Sequence, residues 1–338
     1  GGILVEPGEE VGAHAAIIAP MSMTPTTRAY WQIHFCVVLW GFTAILGKMI
    51  SLPALPLVWW RLVIVVGALL LFPAVWRGLR AMSWRLIGAY AGIGVLVALH
   101  WLTFYGAIKL SNASVGATCI ALATVFVALI EPWVARTRLS KRDLLLGVAV
   151  LPGVALVVGG VPSGMRVGIA VGALSAFLVA IFGALNKRMV EHGDPLTVTA
   201  VELGAGAVAL TVLAPLMALL PGMPHALAGD TFAVPGARDL ALLGTLSIVC
   251  TLLPFALSLV ALRHMSAFAQ QLAVNLEPVY AIVLAIALLG EQRELTPAFY
   301  AGVAIILAAV FVHPLLGRPR PLSQPEVLCA AESKGVAE

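Results

Sequence analysis

The 338-residue chain is 61% hydrophobic and 11% charged, with a mean hydropathy of +1.02 and a formal net charge of +4. Soluble domains average about 45–50% apolar and about 25% charged residues, so a water-soluble globular domain is excluded and lipid is the expected solvent. The small positive balance follows from basic loop residues and is no signature of nucleic-acid binding.

In chain order, Gly1–Pro20 has an apolar run, Ala15–Ala19, with no basic region before it, so it does not read as a signal peptide. Met21 or Met23 is the expected start of translation, and residues 1–30 are expected to form a disordered cytoplasmic segment. Ten apolar stretches follow, each close to the roughly 20 residues that cross a bilayer as helix. They are Gln32–Ile50, Pro56–Trp76, Leu86–Ile108, Ala113–Ala135, Leu144–Gly160, Val167–Asn186, Thr197–Leu220, Leu240–Leu262, Phe268–Leu289 and Ala298–Leu316. Their continuous Leu/Ala/Val-rich runs favour helices, because barrel strands would alternate over about 10 residues. Residues 317–338, with Pro319, Pro321 and Pro325, read as a disordered tail.

Basic residues set the expected orientation. Arg77, Arg80 and Arg85, then Arg136, Arg138, Lys141 and Arg142, fall on the same side as both termini, whereas the other side holds only Lys48, Lys109, Arg166, Arg238 and Arg293. Both termini are therefore expected in the cytoplasm, and the chain in the inner or plasma membrane. Cys36, Cys119, Cys250 and Cys329 show no metal or disulfide spacing and read as small packing residues.

The chain resembles itself at an offset of about 140 to 155 residues. Lys48 corresponds to Arg188, Lys109 to Arg263, Ala113 to Ala267, Leu122 to Leu276, Val125 to Val279 and Gly147 to Gly302, with the Pro221–Pro235 loop absorbing most of the drift. A unit of five spans is odd, so its second copy must cross upside down. The expected fold is an all-α membrane protein of ten transmembrane helices, built as two inverted five-helix repeats at 31–163 and 164–316. Such inverted repeats point to alternating access.

On that frame the chain resembles the EamA-type branch of the drug/metabolite transporter superfamily. The resemblance is carried by Trp40, Gly41, Phe42 and Lys48 in span 1, Pro56 and Arg61 in span 2, and Phe104 to Ala107 in span 3. Further on it is carried by Thr124 to Pro132 in span 4, Asn275 to Tyr280 in span 9, and Leu289, Gly290, Glu291 and Gly302. The resemblance implies a ten-helix bundle around a central cavity that exports or exchanges small metabolites such as amino acids, often driven by protons. One departure stands out. Glu277 corresponds to Ala123, so the Glu131-Pro132 and Glu277-Pro278 pairs are not symmetry mates, which places a symmetric carboxylate mechanism in doubt.

Ionisable residues at membrane depth are costly and are functional candidates. Glu277 is foremost, since Pro278 removes an amide donor beside it and frees the carbonyl of Val274. The plainer reading is a neutral glutamate bonded to a neighbouring helix. For Glu131, an interfacial salt bridge to Arg136 and a kink at Pro132 compete with a gating role. Arg61 and Glu202 sit at nearly corresponding positions and could pair across the bundle, as scaffold or as gate.

Trp40, His100, Trp101, Phe104 and Tyr105 are the expected cavity lining, with Asn275 and Glu277 meeting the polar or cationic group of a substrate. His100 reads equally as a proton shuttle or as a packed core residue. Asn186 and Lys187 are candidates for an inner gate, with a membrane-edge anchor the stronger reading for Lys187. Gly41, Gly92 and Gly94 suit close helix approach, and Trp59, Trp60, Trp76, Trp84 and Trp133 suit interfacial belts.

No Walker motif, zinc pattern or nucleophile elbow is present, so no ATP-driven or metal chemistry, no cofactor and no enzymatic activity are expected. The expected function is a proton-coupled secondary exporter of a small metabolite. Its expected partners are that metabolite, protons and the bilayer, without nucleic acid, and a homodimer is left open. An intramembrane enzyme and a channel or sensor are the alternatives.

Overall fold

The computed structural model describes residues 24–134 and 141–315, which are all-helical with no strand among them. The expected leader, the basic residues Arg136 and Arg138, Cys329 and the tail lie outside the described residues.

The first half comprises α1 (Pro25–Met49), α2 (Ala54–Leu70), α3 (Pro73–Ala81), α4 (Trp84–Leu110), α5 (Ala113–Ile120), α6 (Ala123–Val134) and α7 (Lys141–Gly159). The second comprises α8 (Arg166–Met189), α9 (Pro195–Ala218), α10 (Ala237–Ser247), α11 (Leu253–Leu262), α12 (Ala267–Val274), α13 (Glu277–Leu289) and α14 (Pro297–Leu315). Among the described residues, seven helical stretches are long and apolar enough to cross a membrane, and α2 with α3 makes an eighth if that bent pair is one span. Val148–Gly159 and Pro297–Ala309 are shorter apolar helices. Side-chain caps start several of the helices. Thr24, Ser83, Asn112, Asp194 and Ser266 each accept from a backbone N–H three residues on, as expected where the first turn has no internal acceptor.

The stretch expected as one span, Pro56–Trp76, is instead broken. Pro73 forces Phe72 into an extended conformation, and α3 leaves α2 at 90°. The indole N–H of Trp76 closes the corner on the carbonyl of Leu70 at 2.8 Å. α3 buries Val75 and exposes Arg77 and Arg80, so the basic segment expected as loop is a short amphipathic helix.

The Pro221–Pro235 connection does more than absorb drift. Pro53 cannot cap α2 with its side chain, and the orphan amides of Ala54 and Leu55 donate instead to the carbonyls of Ala226 (2.9 Å) and Leu227 (3.0 Å).

The repeat is visible as one interaction built twice. In the first half the ammonium of Lys48, at the end of α1, donates to the carbonyl of Ser111 after α4 (3.2 Å), while Lys109 of α4 donates to the carbonyl of Ile50 after α1. In the second half Lys187 of α8 donates to Leu262 at the end of α11 (2.8 Å), and Arg263 donates to Gly193 beyond α8 (2.7 Å). Each helix C-terminus is thus satisfied by a cation from its partner.

The two exchanges lie at opposite ends of the bundle. α4 and α8 run antiparallel, with the Tyr90 hydroxyl on the carbonyl of Met189 at one end and Gly168 packed against Ser111 at the other. Lys187, not Arg188, is therefore the counterpart of Lys48, a one-residue correction to the sequence alignment. Lys187, a candidate for the inner gate or a membrane-edge anchor, caps α11 through the carbonyl of Leu262.

Close approach decides the glycines. A Cβ on Gly94 would strike the backbone of Glu202 in α9, and one on Gly41 would lie 2.7 Å from the Cβ of Tyr280, whereas Gly92 faces open space. Gly94→Ala is expected to lose about 1–3 kcal/mol through overpacking, and Gly92→Ala to be tolerated. Thermal unfolding of the two purified variants in detergent checks this, and equal stability would contradict the packing described.

Candidate functional site

A cavity of about 110 Å³ lies between the halves, walled by α1, α2, α4, α5, α6, α8, α11, α12 and α13. Its lining runs from Trp40, Arg61 and Glu277 toward Asn186, Leu262 and Ala267, at the end of the bundle where Lys187 caps α11, and includes neither Lys48 nor Glu291. Two broken helices frame it. The span expected at Ala113–Ala135 divides at Ala121–Leu122 between α5 and α6, and the one at Phe268–Leu289 divides at Asn275–Leu276 between α12 and α13. The second break falls where Pro278 was expected to loosen the backbone.

Arg61 is 2% exposed and held on three sides. Its Nε donates to the Thr251 hydroxyl (2.6 Å), its Nη1 donates to the Tyr105 hydroxyl (2.9 Å), and the guanidinium carbon lies 3.8 Å from the Trp101 ring centroid. Thr251 reaches it because Ile248–Leu252 is wound as a π-turn, in which the Thr251 hydroxyl also donates to the carbonyl of Leu246 (2.6 Å). Such bulges recur at functional sites. Pro254, which has no N–H to donate, lies two residues beyond the turn. Nη2 of Arg61 makes no hydrogen bond among the described residues.

Glu277 is 6% exposed, lines the same cavity, and makes neither a hydrogen bond nor an ion pair within the described residues. A buried carboxylate without a protein partner is costly unless a proton, water or ligand meets it. The neutral glutamate bonded to a neighbouring helix is therefore not what the structure shows.

Of the aromatic residues expected to line the cavity, Trp40, His100, Trp101 and Phe104 do so. Tyr105 is fully buried behind the wall, where it orients Arg61. Asn275 is also behind it, its amide donating to the Thr124 hydroxyl at 2.5 Å, so it bridges the two helix breaks and does not face the cavity. His100 is tied through Nδ1 to Ser175 of α8, at 2.8 Å from its hydroxyl and 3.0 Å from its carbonyl, and presents the rest of its ring to the cavity. Thr43, Val179, Phe182, Phe255, Ser258 and Gln271 are among the lining residues that the sequence did not single out.

The expected Arg61–Glu202 pair does not form. Glu202 is fully buried and accepts from the Asn186 amide at 3.4 Å, leaving Oε1 of Glu202 and Oδ1 of Asn186 without partners among the described residues. Asn186 lines the cavity, so Glu202 sits one side chain behind it. Glu131 is placed elsewhere again, with its carboxylate accepting from the amides of Ala267 (3.0 Å) and Phe268 (2.8 Å) at the start of α12. Arg136, the salt-bridge partner expected for it, lies outside the described residues.

No group of three metal-ligating side chains occurs among the described residues. Cys36, Cys119 and Cys250 are free and buried, as packing residues should be.

Tyr105→Phe removes the hydroxyl that accepts from Arg61 and is expected to cost about 1.5–3 kcal/mol, the range for hydrogen bonds to charged groups. Unfolding in detergent reads this, and an unchanged stability would mean that Tyr105 does not hold the guanidinium.

The model of the EamA-like transporter family matches residues 27–159 and 166–313, well over half of the chain and one match per half. No curated protein matches. Among solved structures, one described as a crystal structure of a protein is similar in fold at 16% identity and a TM-score of 0.59, over 86% of this chain and 97% of the other.

Proposed function

We propose that this chain, which belongs to the EamA-like transporter family, is a proton-coupled exporter of amino acids or other small metabolites that works by alternating access. Family membership and the apolar helices make it a multi-pass membrane transporter. In that reading ten helical segments cross the inner membrane, with the short α7 and α14 as spans and both termini in the cytoplasm.

The observation that carries the proposal is a cavity lined by one guanidinium and one carboxyl group that make no ion pair with each other. Arg61 and Glu277 both line it, no ion pair joins them, and each keeps uncommitted hydrogen-bonding capacity. A zwitterion would satisfy both, its carboxylate on the guanidinium and its ammonium on Glu277. Its apolar part would lie against Trp40, Trp101, Phe104 and Phe182. Orphaned polar groups in a low-dielectric cavity discriminate strongly against ligands that leave them unpaired.

Proton coupling is supported by two carboxylates at membrane depth. Glu277 is in the cavity, and Glu202 is behind Asn186 with an unpartnered oxygen. A proton and a substrate ammonium competing for Glu277 would make loading of one release the other, which is exchange. The membrane position of the exchange, between two halves whose end contacts are repeated in inverted sense, suits a rocking carrier.

Transport of an amino-acid panel in proteoliposomes, with and without an imposed pH gradient, tests this. Saturable flux of a zwitterion that rises several-fold with the gradient is expected. Flux linear in concentration and indifferent to the gradient would favour a channel, and chemical alteration of the solute would favour an intramembrane enzyme.

A further inference from the structure

Glu291 has no part in the cavity, yet it is 2% exposed and fully engaged. Its two oxygens accept from the amides of Ala113 (2.9 Å) and Ser114 (2.9 Å) and from the Ser114 hydroxyl (2.6 Å), at the start of α5. Gly290, at φ +70°, ends α13 in a left-handed turn that few side chains adopt and so directs Glu291 onto α5. Glu131, at the far end of α6, makes the corresponding two-amide contact with the start of α12.

Each of the two broken spans thus ends in a carboxylate that caps the beginning of the other. The pattern divides the four half-helices into two latched pairs. Glu291 joins α13 to α5 at the end where Lys48 and Lys109 cap each other's helices, and Glu131 joins α6 to α12 at the end where Lys187 and Arg263 do so. Between the pairs lie the breaks at Ala121–Leu122 and Asn275–Leu276, bridged by Asn275 and Thr124, with the cavity beside them.

Opening the cavity toward either end must part the half-helices at that end, and the breaks are where the chain can bend without disturbing the other end. The geometry points to Glu131 and Glu291 as two opposed gate latches, one released in each half of the transport cycle while the other stays closed. In this structure both are closed. The inference rests on the carrier reading above and adds to it the residues that set the balance between its two open states. These are positioning residues, since neither touches the cavity.

The test uses the full chain with Cys36, Cys119, Cys250 and Cys329 replaced by Ala and Val179→Cys as a reporter, because Val179 lines the cavity. Labelling by a membrane-impermeant maleimide is measured from each face, in right-side-out and inverted vesicles. Glu131→Gln should raise labelling from the Glu131 face relative to the other by about fivefold, and Glu291→Gln should shift it equally in the opposite direction, the population equivalent of one lost helix cap.

The double variant should return the ratio to that of the unsubstituted protein, an outcome that a purely structural role does not produce. Ratios that move in the same direction in both single variants, or stay unchanged in folded protein, would overturn the latch assignment. A reporter labelled from one face only in every variant would instead overturn the carrier reading and the latches with it.

Discussion

Glu277→Gln is expected to lower transport of the preferred solute by about 10- to 100-fold, the equivalent of one charged hydrogen bond, and to abolish the response to a pH gradient. Glutamine keeps the size of the side chain and one acceptor oxygen, so the cavity keeps its shape. What it loses is the negative charge and the capacity to exchange a proton. Among the described residues this carboxyl group has no hydrogen-bond or ion-pair partner, so no internal network among them collapses when it is replaced, and folding should be preserved or improved.

The separation of these two effects is what makes the substitution informative. A variant with wild-type rate and wild-type pH dependence would remove Glu277 from the mechanism. Reduced transport with the pH response intact would assign it to solute binding alone and move coupling to Glu202.

Replacement of Arg61 should have the larger effect on the protein itself. Arg61→Met strands the hydroxyls of Tyr105 and Thr251 and removes the cation from the face of Trp101. The loss is expected to be about 3 kcal/mol or more of stability, with transport falling below detection.

Arg61→Lys keeps the charge but cannot bond Tyr105 and Thr251 through a rigid fork while facing the cavity. It should fold, with an apparent affinity for the solute lower by about tenfold, one charged hydrogen bond's worth. Thermal unfolding and concentration dependence of flux read the two variants. Arg61→Lys with unchanged affinity would mean that the guanidinium is scaffold and not a solute contact.

Much of the architecture was legible in the sequence because lipid leaves few choices. A run of about 20 apolar residues must close its own backbone hydrogen bonds and so is helical. The resemblance of Lys109 to Arg263 pointed to two residues that make corresponding helix-end contacts. The bend at Phe72–Pro73 was missed because hydropathy runs smoothly through it, although Pro73 marked it for a reader of backbone chemistry.

The site was legible in part. Charges at membrane depth were found because their cost singles them out, and Arg61 and Glu277 do face one cavity. Partnership was not legible. Arg61 was matched with Glu202 by position along corresponding helices, but its partners Tyr105 and Thr251 depend on helix rotation and on a π-turn. Asn275 faces Thr124 and not the cavity for the same reason, since the break in its helix turns it away. In the sequence Glu291 figured among the residues that carry the family resemblance, and only the approach of the α5 N-terminus shows what it binds.

Trans-stimulation in proteoliposomes, with the solute that the panel identifies, is the most direct measurement of whether the two inverted halves expose one cavity to alternate sides. Unlabelled solute loaded inside should accelerate entry of labelled solute several-fold, because a carrier returns faster when loaded. Entry that is unaffected or slowed by internal solute, and that never saturates, would contradict alternating access.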